Sequence, residues 1–200
     1  PTISIGDSVN YTGSSVQISF TIRKLVTQIS ADPVGSHPYG NEVNITIHVV
    51  YNDPASLYYH LKGITGLVTE NFTLSGGYSY TVTAQATPGD YIVTIYNDTI
   101  LAIQSYSTRI SIGDAQNYTG SYYDVTFSIR RLRTALTADP VGTHPYGNQV
   151  NITIHVRYSD PDSQYYNGFG ITGLVHDNFS VTGGHSFDLV ETATAGDYIL

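Results

Sequence analysis

Seven asparagines carry the spacing that an N-glycosylating enzyme reads. The acceptor pattern is Asn-x-Ser/Thr with x not Pro. Asn10, Asn44, Asn71, Asn97, Asn117, Asn151 and Asn178 all match it, more than the 11 Asn of this chain would give by chance. A glycan is bulky and hydrated, so each acceptor must sit at the surface. Sugars would also supply the solubility that charged side chains usually give. Only 12% of the residues are charged. Covalent N-glycans imply a location outside the cytoplasm.

Other residue types offer weaker chemistry. His37 and His144 stand in His-Pro-Tyr-Gly, each five residues after an aspartate, Asp32 or Asp139. Histidine with carboxylate can hold a metal or move a proton. Two ligands do not make a metal site, and a Pro-rich turn with a packed Tyr is the plainer reading. His48 and His155 fall mid-strand on a polar face, where an exposed residue or a pH-sensitive contact would fit. His60, His176 and His185 have no histidine counterpart. Asp7, Asp53 and Asp90, with Asp114, Asp160 and Asp197, lie in expected turns. Such oxygens suit calcium, but Asp beside Pro or Gly is ordinary turn chemistry. The adjacent pairs Tyr58-Tyr59 and Tyr165-Tyr166 could form a platform for sugar rings, close the end of a domain, or pack on the next one. No Gly-x-Ser-x-Gly elbow occurs. No metal, cofactor or catalytic set is assigned, and the chain is not expected to be an enzyme.

The elements that hold these residues read as strands. Val43, Ile45, Ile47, Val49 and Tyr51 alternate with Asn44, Thr46, His48 and Val50, a period of two. Such a strand has one apolar and one mostly wet face. Ile18, Phe20 and Ile22 alternate with Ser19, Thr21 and Arg23 in the same way. Tyr78 to Ala86 and Tyr91 to Tyr96 are further expected strands. Asp-Pro, His-Pro, Gly-Gly and Pro-Gly pairs punctuate them. No helix is expected beyond one short turn within 55–62.

The chain also contains itself twice. Isoleucine-rich ISIGD at Ile3 to Asp7 returns at Ile110 to Asp114, and GITGLV at Gly63 to Val68 returns at Gly170 to Val175. Every pair is 107 positions apart without a gap, and 55 of 93 aligned pairs are identical. A repeat this long is a whole domain, since solenoid repeats run about 20 to 50 residues. About seven strands per repeat suit a β-sandwich. The expectation is all-β: two tandem sandwich modules, 1–107 and 108–200. The second copy stops 14 positions before the end of the first. This points to a longer array, or to a gap filled by another chain. The join, residues 99–113, has no Pro. It reads as one strand running into the next, with Leu101 and Ile103 buried, in a stiff, elongated rod.

Composition closes off other classes. Lys plus Arg is 8 against 16 Asp plus Glu, a net charge of −8. No nucleic-acid partner is expected without clustered cations. Cysteine is absent, which removes disulfides and thiolate sites. No apolar run reaches 18 residues, so no membrane span is expected.

Thr87 to Asp98, TPGDYIVTIYND, resembles the penultimate strand of immunoglobulin-like and fibronectin-like domains. That resemblance implies immunoglobulin-like modules in which Tyr91 and Tyr198 are corner tyrosines bonded to backbone. Tandem Cys-free modules rich in Thr, Ser, Tyr and Asn, with dense sequons, look like prokaryotic surface proteins. They are most similar to archaeal S-layer, thread and bundling-pilus glycoproteins. The resemblance implies self-association into a filament or lattice at the cell surface, with strand exchange between subunits. A structural role is therefore expected. The alternative is an adhesin or carbohydrate-binding stalk using Tyr58, Tyr59, Tyr165 and Tyr166.

Overall fold

The structure is a computed structural model and describes residues 1–96 and 101–200. Asn97, and the start of the expected joining strand at Thr99 and Ile100, lie outside those residues. Among the described residues the chain is all-β, with short 3-10 turns at Thr69–Asn71 and His176–Asn178 and no α-helix.

Four sheets form. The first pairs β1 (Thr2–Ile5) with β2 (Ser14–Gln17) as a two-stranded hairpin. The second has the order β3 (Thr27–Ala31), β5 (Val43–Tyr51), β8 (Asp90–Ile95), β7 (Tyr80–Ala84), all antiparallel. In the third, β4 (Ser36–Pro38) and β6 (Phe72–Leu74) flank a long central hairpin, β9 (Ser105–Ile112) and β10 (Ser121–Arg130). The fourth has the order β11 (Thr134–Ala138), β12 (Thr153–Tyr158), β14 (Asp197–Ile199), β13 (Val190–Glu191).

The expected alternation holds in β5. Val43, Ile45, Ile47 and Val49 are fully buried while Asn44 is exposed. These side chains meet Ile110, Ile112, Val125, Phe127 and Ile129 of the β9–β10 hairpin in one apolar cluster. Each such burial contributes about 1.5–3 kcal/mol. Two sheets thus face each other across one core.

That core is out of phase with the repeat. The boundary expected at 107/108 lies inside β9, and the core takes residues from both sides of it. The opening segment of the second repeat covers the sheet of the first. In the first repeat the same segment is β1–β2, and it is exposed throughout. Ile3 (56% exposed), Ile5, Ile18, Phe20 (68%) and Ile22 (85%) are the 107-offset counterparts of buried Ile110, Ile112, Val125, Phe127 and Ile129. The second repeat's own sheet has only a small core, Ile154, Val156 and Tyr198.

Two strand expectations need correction. Residues 18–24 are not strand, although Ile18, Phe20 and Ile22 alternate correctly. A strand edge needs a partner, and in β10 the counterparts Ser128 to Arg130 gain one from β4. Residues 101–104 are not strand either. Leu101 packs partly against the core, but Ile103 is 50% exposed. The chain approaches β9 there as a bend.

The exposed area agrees with open ends. The chain exposes 13221 Å², whereas a compact monomer of its mass exposes about 9,300 Å².

Candidate functional site

Three short segments show how a sheet and its hairpin recognise each other. β4 runs parallel to β10, with Ser36, His37 and Pro38 opposite Ser128, Ile129 and Arg130. β6 pairs with β9 through Phe72, Thr73 and Leu74. The hairpin therefore enters between two strands that belong to the preceding repeat. At its tip Leu25 N–H donates to Asn117 O at 2.9 Å, Thr119 N–H returns a bond to Leu25 O at 2.9 Å, and Thr27 Oγ1 donates to Thr119 O at 2.6 Å. Lys24 Nζ sits 3.2 Å from Asp114 Oδ2.

The counterparts in the second repeat lack such a partner. Thr143 to Pro145 and Phe179 to Val181 are not strand, and the whole of 141–150 is exposed. The His-Pro-Tyr-Gly turn makes the contrast plain. Tyr39 packs against the core, but Tyr146 is fully exposed. His37 is half-buried in β4, its Nε2 has no hydrogen-bond partner among the described residues, and burial pushes its pKa down.

An arginine ties each hairpin to the sheet that follows it. Arg23 and Arg130 are 107 apart, as are Asp53 and Asp160. Both guanidinium nitrogens of Arg23 bond Asp53, Nη2 at 2.8 Å, and Arg130 holds Asp160 likewise, Nη2 at 2.9 Å. The carboxylates are buried to 1% and 0% exposure. The Arg23 hydrogen bond holds Asp53 at about 2, and that of Arg130 holds Asp160 well below the usual carboxylate range. These two aspartates are thus anchors of the joint. Arg130 also reaches Asp162 at 2.8 Å.

The other aspartates singled out in the sequence have partners close by. Asp7 and Asp114 accept from Gly13 N–H and Gly120 N–H inside the two hairpin loops. Asp90 and Asp32 clamp His48 from both sides, at 2.7 Å on Nδ1 and 3.2 Å on Nε2. Asp197 and Asp139 do the same to His155, at 2.9 and 3.1 Å. Hydrogen bonds that the ring nitrogens donate to these carboxylates, Asp90 and Asp197 first, raise both histidines. The clamp was hidden in the sequence because Asp90 meets His48 only through the β5–β8 register.

The tyrosines divide by role. Tyr91 and Tyr198 are fully buried, and their hydroxyls donate to Ile64 O and Ile171 O at 2.7 Å while accepting from Leu67 N–H and Leu174 N–H. This explains why GITGLV repeats. Gly63 passes so close to Pro88 that a side chain there would collide with its carbonyl, and Gly89 beside it has φ +90. Tyr59 stacks edge-on against Tyr51 under Lys62, and Tyr58 is 83% exposed. Tyr166 stacks edge-on against Tyr158 and also covers Gly40. Beside it the Asn41 amide donates to Asp162 O and accepts from Gln164 N–H, at 2.7 and 3.0 Å. Tyr166 thus belongs to the contact between the two sheets' loops while Tyr165 is 45% exposed, and sequence reasoning missed Asn41.

Six of the seven sequon asparagines are described. Asn10, Asn44, Asn71, Asn117, Asn151 and Asn178 are all exposed. The side-chain oxygens of Asn71 and Asn178 accept from Val68 N–H and Val175 N–H at 2.8 Å, and Asn44 Oδ1 accepts from Thr94. An acceptor's sugar joins the amide nitrogen, so these bonds and a glycan are compatible.

One cleft of about 300 Å³ lies between Asp32–Val34 and Tyr123–Thr126. Its two carboxylates, Asp32 and Asp124, are engaged by His48 and Arg109. No helix among the described residues is long and apolar enough to cross a membrane. No family model matches the chain, and no curated protein matches it significantly.

Proposed function

We propose that this chain is a structural component of an extracellular glycosylated filament or surface layer, built from tandem immunoglobulin-like sandwiches that share strands. The observation that carries this reading is the out-of-phase core. The one complete sandwich among the described residues takes its main sheet from the first repeat and most of its central hairpin from the second. Pulling successive repeats apart would then mean extracting a hairpin bonded along both edges and buried on one face. Such cross-sheet pairing resists load, and it leaves backbone groups at each end that a further copy can pair. The Arg–Asp anchors would hold successive units at a fixed joint. Exposed sequons fit a sugar coat, and the low charge fits it too. The resemblance to archaeal surface glycoproteins belongs to this proposal.

Imaging of native material tests the reading. Filaments or a lattice, with an intact mass above that of the bare polypeptide, support it. A monodisperse, sugar-free protein in the native source contradicts it.

One observation favours a second reading, an adhesin or carbohydrate-binding stalk. Leu57 and Tyr58 are 91% and 83% exposed in one loop. Glycan-array binding lost on Tyr58→Ala would support that reading, and a blank array would end it.

A further inference from the structure

Two halves of one interface are uncovered among the described residues, the hairpin of the first repeat and the sheet of the second. We propose that the hairpin of residues 2–22 docks onto the β11–β12–β14–β13 sheet of a second copy of this chain, entering between its segments 143–145 and 179–181. This deepens the structural reading above and rests on it.

The occupant is named by the chain itself. The same hairpin, one repeat later, already fills the same sheet, one repeat earlier. Seventeen of the 18 residues in that core have a counterpart within the sequence at offset 107. Fourteen of those are identical, and the rest are exchanges among Ile, Leu and Val. That is 82%, against 59% over all aligned pairs, so both faces of the interface are kept more closely than the rest of the repeat. The hairpin side is exposed at Phe20 and Ile22, the sheet side at Leu136 and Val150.

The polar rim is duplicated as well. Lys24 and Asp114 correspond to Arg131 and Asp7, so an Arg131–Asp7 ion pair would form between copies. Leu25 and Asn117 correspond to Leu132 and Asn10, which supplies the tip hydrogen bond. Asn117 stays exposed in the filled interface, so a glycan on Asn10 would not obstruct docking. Two strands enter together between two edges, which differs from adding one strand at a sheet edge. The two surfaces are unlike, so the contact is head-to-tail and adds copies in series.

Sedimentation velocity on the whole chain, over a range of concentrations, tests this. The parent chain should form a concentration-dependent ladder of oligomers. Phe20→Asp spoils only the hairpin and Leu136→Asp only the sheet, and each variant alone should stay monomeric. Mixed in equal amounts, they should give a one-to-one dimer and nothing larger, because one intact hairpin meets one intact sheet. Both sites are exposed, so the variants should keep the parent's circular dichroism. A parent chain that stays monomeric, a ladder indifferent to both changes, or a mixture without dimer overturns the docking. Failure here would leave native filaments to be explained by other contacts. Absence of filaments in native material would instead defeat the structural reading itself.

Discussion

Two copies of one hairpin have different fates in this molecule. In residues 105–130 the strands are eight and ten residues long, and Ile110, Phe127 and Ile129 are buried. In residues 2–22 the strands have four residues each, and Ile3, Phe20 and Ile22 are exposed. The alternating apolar positions Ile18, Phe20 and Ile22 match Val125, Phe127 and Ile129, so the hydrophobic pattern alone does not explain the difference. What differs is the sheet opposite. β10 gains β4 on one edge and an apolar floor beneath, and among the described residues β4 pairs with no strand but β10. Its counterpart at Thr143 to Pro145 has nearly the same sequence and no strand. Secondary structure here follows packing.

The largest test of this comparison is a pair of matched truncations. Phe127→Ala removes a side chain that is 3% exposed, and should cost about 3–5 kcal/mol in denaturant unfolding. Phe20→Ala, measured dilute, should change stability by less than about 0.5 kcal/mol. Equal losses would mean that the first hairpin is packed in the isolated chain.

A smaller effect should appear where the two copies agree. Tyr91→Phe leaves Ile64 O and Leu67 N–H without their buried partner, and should cost about 1–3 kcal/mol. Tyr198→Phe should lose a similar amount from the second sheet. If only Tyr91→Phe is costly, the second sheet is not folded as described.

The sequence carried much of this, but not the phase. The alternation of Val43 to Tyr51 identified β5, and Tyr91 and Tyr198 behave as buried tyrosines bonded to backbone. Offset arithmetic fixed the period of 107. It could not say whether Ile110 to Ile129 covers the sheet before it or the one after it, because both sheets carry the same central apolar positions, Val43 to Val49 and Val150 to Val156. The joint escaped for a related reason. Arg23 and Asp53 are 30 positions apart, and turn chemistry alone accounted for the aspartate. The matched Arg23 and Arg130 were the available signal.

The smallest expected effects are pH-dependent and opposite in sign. Carboxylates raise His48 and His155 above the ordinary value of 6.5. Their contribution to stability is fully present below 6.5 and fades as pH rises through the raised folded values. Burial lowers His37, so its neutral form is favoured in the fold, and stability falls as pH drops below 6.5. NMR titration should find His48 and His155 titrating above 6.5, and His37 below it. A His48 that titrates below 6.5 would refute the clamp between Asp90 and Asp32.

Amide hydrogen exchange on the dilute chain reads the central comparison directly, because it reports each hairpin separately. Residues 105–130 should be strongly protected and residues 2–17 should exchange rapidly, gaining protection as concentration rises. Equal, strong protection of both hairpins at the lowest concentration would contradict the account.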